Sequence, residues 1–148
     1  MSLPLRFGNR SKLFVALAVM GIATAIYHAY GEITFTLNSC NISAALSCAP
    51  VFASGYTTVL GISFWVYGVV WFPLCLVLGL WVIRRDGGPS ASILVPFLMI
   101  GNIFTLYPWY IEISLLSGHY CPVCISLYSM NYLMTAVAAT SRAAETAP

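Results

Sequence analysis

The chain has 148 residues, of which 60% are hydrophobic and only 7% are charged, and its formal net charge is +2. A soluble domain has about 25% charged residues, because a small protein must cover a large surface with polar groups. The composition therefore argues against a soluble domain, a disordered chain and nucleic-acid binding through a basic patch. The class of protein that remains is a small integral membrane protein, surrounded by membrane lipid.

Four apolar stretches are long enough to cross a membrane as helices, which takes about 20 residues. They cover residues 13–30, 59–83, 93–116 and 123–139. They are continuous and do not alternate at every second residue, which disfavours a β-barrel. The sequence predicts an all-α, polytopic membrane protein with one domain over residues 1–148. Its core is a four-transmembrane-helix bundle, and a folded external loop over residues 31–58 connects the first two helices.

Basic residues orient these spans. All six fall in the three segments that four spans place on one side of the membrane: Arg6, Arg10, Lys12, Arg84, Arg85 and Arg142. The positive-inside rule assigns that side to the cytoplasm, so both termini are expected inside. Ala23-Thr24-Ala25 also resembles a signal-peptide cleavage site, but the first apolar stretch is long enough to cross, and we expect it to be retained as a span.

The loop over residues 31–58 contains Cys40 and Cys48 and is mostly uncharged. It is too long for a simple connector, so we expect it to fold onto the outer mouth of the bundle as a lid. Three ionisable residues near the outer ends of spans, His28, Glu32 and Glu112, are expected to be solvated. Cys75, near the middle of the second span, is predicted to pack as a small hydrophobic residue.

Cys121 and Cys124 form a Cys-x-x-Cys pair at the outer start of the fourth span. Pro122 suits the first position of a helix, where its missing N–H costs nothing. A helix N-terminus favours negative charge, so a thiol in this place should have a lowered pKa. Since the thiolate is the attacking species in disulfide exchange, the pair is suited to exchange chemistry.

Four cysteines thus face the outside, where disulfides persist, and they allow three pairings. One is Cys40–Cys48 with Cys121–Cys124; another is Cys48–Cys121 with the other two free. A redox relay would visit both, whereas a structural framework would keep one. A zinc site of four thiolates is disfavoured, because the spacing of the loop cysteines is wide and no histidine is expected to be well placed as a ligand. No metal is predicted.

The residues around these cysteines resemble the vitamin K epoxide reductase family. The matching segments are Cys40–Cys48, followed by Phe52, and Cys121–Cys124, followed by Tyr128 and Asn131. Cysteines eight residues apart in the first outer loop, combined with Cys-x-x-Cys at the start of the fourth span, are specific. The resemblance covers nearly the whole chain.

This resemblance implies a quinone-dependent thiol/disulfide oxidoreductase, with four helices around a quinone of the menaquinone, ubiquinone or vitamin K type. Electrons would pass from the dithiol of a thioredoxin-like partner to the loop cysteines, then to the Cys-x-x-Cys pair and the quinone, driving disulfide bond formation in exported proteins. By position, Cys40 would exchange with the partner, Cys48 with Cys121, and Cys124 would face the quinone. The candidate residues for the quinone pocket are Phe52, Tyr128 and Ser63.

Two departures from the family pattern shape these expectations. Many bacterial members carry a fused thioredoxin-like domain, whereas this chain ends at Pro148, so a separate thioredoxin-like partner is expected. Animal members have an Asn near the outer start of the second span, where this chain reads Gly61-Ile62-Ser63-Phe64. General quinone chemistry is therefore favoured over the alternative, vitamin K epoxide reduction.

The hypothesis from another class is a non-catalytic membrane scaffold with structural disulfides. The expected location is the cell membrane, with the redox cysteines on the extracytoplasmic face. The alternative location is the endoplasmic reticulum membrane, with the cysteines in the lumen.

Overall fold

A computed structural model describes residues 8–34, 40, 42–43, 45–86, 91–116 and 119–145, with side chains throughout except at 52, 53, 86, 91, 92 and 141–145. Four helices are long and apolar enough to cross a membrane, which confirms the predicted architecture. The elements are α1 (Asn9–Thr34), α2 (Cys48–Ala53), β1 (Thr58–Val59), β2 (Ile62–Ser63), α3 (Phe64–Asp86), α4 (Ala91–Tyr110), a π-helical turn (Ile111–Leu115) and α5 (Pro122–Glu145).

The predicted start of the second span at residue 59 is wrong, because α3 begins at Phe64. Residues 58–63 instead form a small antiparallel hairpin of β1 and β2. At its tip Leu60 and Gly61 have φ angles of 54° and 78°, and two-residue hairpin turns of this kind need positive φ at both positions. The Tyr67 hydroxyl donates to the Val59 carbonyl at 2.9 Å, which holds the hairpin on the first turn of α3.

The bundle is built around α1 and α5. Helix α1 packs along α3 and α5, and α4 packs along α5, while α3 and α4 touch each other less. Small residues allow close approach of membrane helices, and a Cβ atom added at Gly79 would lie 2.3 Å from the Phe14 ring. Cys75 is fully buried in the core beside Phe14 and Leu98, as predicted for a packing residue.

Polar side chains tie α3, α4 and α5 together inside the bundle. The Trp71 indole N–H donates to Asn131 Oδ1 at 2.9 Å, and the Asn131 amide donates to Asn102 Oδ1. The Asn102 amide in turn donates to the Thr135 hydroxyl at 3.0 Å. Buried polar groups in lipid must be satisfied within the protein, and this network satisfies them by joining three helices.

The described part of the loop between α1 and α3 folds back onto the start of α5, as predicted. Leu46 and Tyr120 form a parallel β-bridge. The Ser47 N–H donates to the Tyr120 carbonyl at 3.0 Å, and the Tyr120 N–H donates to the Ala45 carbonyl at 2.8 Å. This pairing fixes the position of the loop directly before each cysteine-bearing helix, α2 and α5.

The described basic residues lie at the opposite end of the bundle from the cysteines. Arg10, at the start of α1, donates to the Thr140 carbonyl near the end of α5 at 2.6 Å, so these two helices are antiparallel. Arg84 and Arg85 occupy the last turn of α3. Cys121 directly precedes the other end of α5 and Cys48 contacts it, so charge and thiol chemistry are separated along the bundle.

Candidate active site

The four cysteines of the loop and the Cys-x-x-Cys pair are in mixed redox states. Cys40 and Cys48 form a disulfide, whereas Cys121 and Cys124 are free thiols. The disulfide is closed by a tight turn, in which the Ile42 N–H donates to the Leu46 carbonyl at 2.9 Å. The predicted pairing of Cys40–Cys48 with Cys121–Cys124 is therefore half present: the loop disulfide is formed, and the Cys-x-x-Cys pair is reduced.

The two cysteine pairs meet at their nearest members. The Sγ atoms of Cys48 and Cys121 are 3.1 Å apart, and both residues are fully buried. The bridge between Leu46 and Tyr120 enforces this contact, because each bridge residue precedes one of the cysteines by one or two positions. The Cys121 sulfur is therefore placed for thiol–disulfide exchange with Cys48 of the loop disulfide.

Cys121 is held in the thiolate form by its surroundings. A hydrogen bond from the Cys124 thiol lowers the pKa of Cys121 to about 5 from an ordinary value of 9.0, against the opposing effect of burial. Contacts with His28 lower it further, and the Cys124 backbone N–H points at the Cys121 sulfur at 3.4 Å. This agrees with the lowered pKa that a Cys-x-x-Cys pair at a helix start predicts.

His28 of α1 lies against the Cys-x-x-Cys pair. Its Nε2 atom is 3.6 Å from the Cys124 Sγ atom, and its side chain is only 3% exposed. The expectations that His28 is solvated, and that no histidine is well placed as a ligand beside the cysteines, are therefore wrong. The reason is the packing of α1 against α5, which turns an outer position of α1 toward the start of α5.

Glu112 is also buried, contrary to expectation. Its Oε1 atom accepts the backbone N–H of Cys121 at 3.3 Å, and the residue is 1% exposed. It lies in the π-helical turn, where the Leu116 N–H donates to the Ile111 carbonyl five residues back at 3.0 Å. Pro108, which cannot donate a helix hydrogen bond, precedes this turn. Such turns are frequent at functional sites, and this one directs a carboxylate toward Cys121.

Below Cys124 a cavity of about 460 Å³ opens between α3, α4 and α5. Its walls are aromatic and aliphatic, with small residues at Gly68 and Gly101 and the polar residues His28, Thr105 and Asn131. Trp71 on one wall stacks on Phe97, with ring centroids 4.7 Å apart. A largely apolar pocket of this size, with a few polar groups, is typical of small-molecule sites.

The chain matches the vitamin K epoxide reductase family over residues 12–139. It belongs to this family. The match includes all four helices and all four outer cysteines, so membership applies to the whole site and not to one motif. No curated protein gives a significant match. A membrane redox enzyme of the vitamin K epoxide reductase family is therefore established, and the disulfide and the free Cys-x-x-Cys pair fit that activity.

Within this family member, the predicted pocket residues have different positions. Cys124 and Tyr128 both line the cavity. The Ser63 hydroxyl instead donates to Glu32, and Ser63 is not among the described residues that line the cavity. The Phe52 side chain lies outside the described part of the structure.

Sequence reasoning missed several residues of the vitamin K epoxide reductase site. His28 and Glu112 were visible as ionisable residues in or beside apolar spans, which are functional candidates by default. Asn131 was visible only as part of the family motif, and Thr105 carried no signal of its own. Trp71 was as consistent with lipid contact as with lining a quinone cavity. Their contribution to the cavity depends on how the helices are rotated, and nearly uniform apolar spans do not reveal that rotation.

Proposed function

We propose that this protein is a thiol–quinone oxidoreductase that oxidises the dithiol of a separate thioredoxin-like partner and so drives disulfide formation in exported proteins. The carrying observation is the row of sulfur atoms from the loop to the cavity. Cys40 is bonded to Cys48, Cys48 is 3.1 Å from Cys121, and Cys124 lines the cavity. Each transfer in the relay is then between neighbours.

The exchange steps balance at every stage. The partner's dithiol reduces the Cys40–Cys48 disulfide and leaves as a disulfide. The Cys48 thiolate then attacks Cys121 of an oxidised Cys121–Cys124 pair, which frees the Cys124 thiol. Attack of Cys40 on Cys48 re-forms the loop disulfide and leaves Cys121 and Cys124 reduced. The structure has the bonding expected of this last state, in which two electrons are stored on the Cys-x-x-Cys pair.

A quinone accepts these two electrons, together with two protons, as Cys121 and Cys124 close their disulfide. The cavity fits such a ligand, because its aromatic walls suit a planar ring and its size lies within the usual range for a ligand pocket. Cys124 and Tyr128 lie at the end of the cavity nearest the loop. His28, which also lines the cavity beside Cys124, is positioned to supply a proton.

The same arrangement supports the proposed partner and compartment. Disulfide exchange with a soluble partner requires the cysteine end of the bundle to face an oxidising compartment. With the basic residues on the cytoplasmic side, that compartment lies outside the cell membrane; in an endoplasmic reticulum membrane it would be the lumen. Cys40 is buried in the described state, so the partner must displace the residues that cover it to reach its sulfur.

The test is turnover by the purified full chain in lipid nanodiscs, with a reduced thioredoxin-like protein and a lipid-soluble quinone. We expect quinone reduction by the native chain and its complete loss in Cys124→Ala. Cys75→Ala is the matched control, since Cys75 is a buried free thiol in the core away from the cavity. No turnover by the native chain, or undiminished turnover in Cys124→Ala, would contradict the relay and favour a scaffold with structural disulfides.

A further inference from the structure

Three metal-binding side chains converge at the reduced Cys-x-x-Cys pair. The ligand atoms of His28, Cys121 and Cys124 all lie within 4.8 Å of one another. All three side chains are buried. They come from α1 and from the start of α5, so the cluster is a product of the fold and not of local sequence.

Their spacing matches that of a tetrahedral zinc site. Zinc holds thiolate sulfur at about 2.3 Å and imidazole nitrogen at about 2.0–2.1 Å, which separates the two ligand atoms by about 3.6 Å. The Cys124 Sγ and His28 Nε2 atoms are 3.6 Å apart. Two thiolates and an imidazole also suit zinc better than magnesium or calcium, which prefer oxygen ligands.

A buried carboxylate borders the cluster. Glu112 Oε1 accepts the Cys121 N–H at 3.3 Å. Its Oε2 atom has no hydrogen-bond partner among the described residues. An ionised carboxylate removed from water is costly unless a cation or hydrogen bonds compensate it. The described Arg side chains lie at the opposite end of the bundle. A cation bound to the three-residue cluster would compensate the neighbouring Glu112 carboxylate, although Glu112 itself is not a member of the cluster.

We propose that His28, Cys121 and Cys124 form an inhibitory Zn²⁺ site that exists only while both cysteines are reduced. A disulfide provides no thiolate ligands, so oxidation of the pair removes the site. Zinc binding displaces thiol protons and transfers no electrons. Bound zinc would hold Cys121 away from exchange with Cys48 and Cys124 away from the cavity. The other close group, Cys40, Cys48 and Cys121, does not qualify, because two of its members share a disulfide.

Zinc binding is measured directly, by equilibrium dialysis of the full chain in nanodiscs against buffered Zn²⁺. The chain reduced at Cys121 and Cys124 should bind one zinc ion per chain with a Kd of about 1 µM or tighter. The same protein with the pair oxidised by diamide should bind none at this site. Co²⁺ in place of zinc should give thiolate-to-metal charge-transfer absorption in the reduced protein alone. Equal binding by both redox forms would overturn the proposal.

The two histidines of the chain provide a matched pair of variants. His28→Gln should weaken zinc binding by at least about tenfold. His119→Gln should leave it unchanged, because the His119 ring contacts the Leu116 carbonyl and is not a member of the cluster. Equal effects of the two substitutions would show that the histidine ligand is misassigned.

The inhibitory effect rests on the proposed function, whereas the binding does not. Zinc should slow quinone reduction by the reduced chain, and a chelator should restore it. A native chain that binds zinc in the reduced state but never reduces quinone would contradict the proposed function alone. A chain that reduces quinone but fails the dialysis test would contradict the zinc site alone.

Discussion

Cys121 is the residue on which the chemistry of this site converges. It contacts the loop disulfide through its sulfur, and its backbone N–H is accepted by Glu112. Its sulfur also receives the Cys124 N–H at the start of α5. Because the Cys121 thiolate is the leaving group when the loop disulfide re-forms in the proposed relay, its pKa affects the pH range over which that relay can operate.

We expect Cys121 to be a thiolate from about pH 5 upward, because the hydrogen bond from Cys124 stabilises the charged form. The ultraviolet absorbance of the thiolate in the reduced, chelator-treated protein should rise with a midpoint near that pH. The step should be missing in Cys121→Ala and retained in Cys75→Ala. A first midpoint at the ordinary cysteine value, near 8.5, would show that the surroundings do not stabilise the thiolate.

The sequence predicted part of this local chemistry. Cys-Pro-Val-Cys at the start of an apolar run predicts a helix start, and a helix start predicts a lowered thiol pKa. The neighbours of Cys121 were not predictable in the same way. His28 is 96 positions from Cys124, and only the packing of α1 on α5 brings it there. Glu112 depends on a π-helical turn, which has no simple sequence pattern.

At the scale of elements, the spans were predicted better than their ends. Hydropathy identifies long apolar runs, and the four helices lie where those runs are. Hydropathy places the hairpin over residues 58–63 in the second span, because Val59, Leu60 and Ile62 are apolar and continuous with α3. Gly61 indicates a turn, since it supplies one of the two positive φ angles of the hairpin. Leu60 supplies the other, and leucine at that position does not indicate a turn.

The shape of the cavity between α3 and α4 depends on Gly101, which leaves room for the Trp71 indole. A Cβ atom added at Gly101 would lie 2.5 Å from the Trp71 indole, so Gly101→Ala should push the ring and reshape the cavity. We expect the KM for quinone to rise about tenfold, the equivalent of about 1.4 kcal/mol of lost binding. Exchange between the two cysteine pairs should stay unchanged, because the Cys48–Cys121 contact lies outside the cavity.

Gly68→Ala is the control for this substitution. Gly68 also lines the cavity, but a Cβ atom added there meets the Ala25 Cβ at 3.4 Å, an ordinary contact. Steady-state kinetics at saturating partner should therefore distinguish the two variants. If Gly101→Ala folds normally and keeps the native KM, the cavity is not where the quinone binds.

At the scale of the whole molecule, the bundle separates its charges from its thiols. The sequence predicted this separation, because the positions of Lys and Arg and of Cys along the chain are independent of side-chain packing. It did not predict that the loop would be fixed by a β-bridge between Leu46 and Tyr120. That bridge joins residues far apart in the chain, and it makes the cysteine end a single unit in which the loop disulfide rests on α5.

In the proposed relay, exchange with the partner at Cys40 and quinone reduction at Cys124 are separate steps, and one substitution should distinguish them. Cys40→Ala removes the cysteine assigned to the partner and leaves Cys48, Cys121 and Cys124 in place. The kcat/KM for a protein dithiol should fall by more than about 1,000-fold, as for loss of a covalent exchange partner. A small dithiol should still drive quinone reduction, because it can reduce the Cys121–Cys124 disulfide without exchange at Cys40. Cys124→Ala should lose both activities, since no route to the cavity avoids it. If the two variants lose both activities equally, the order of the cysteines in the relay is wrong.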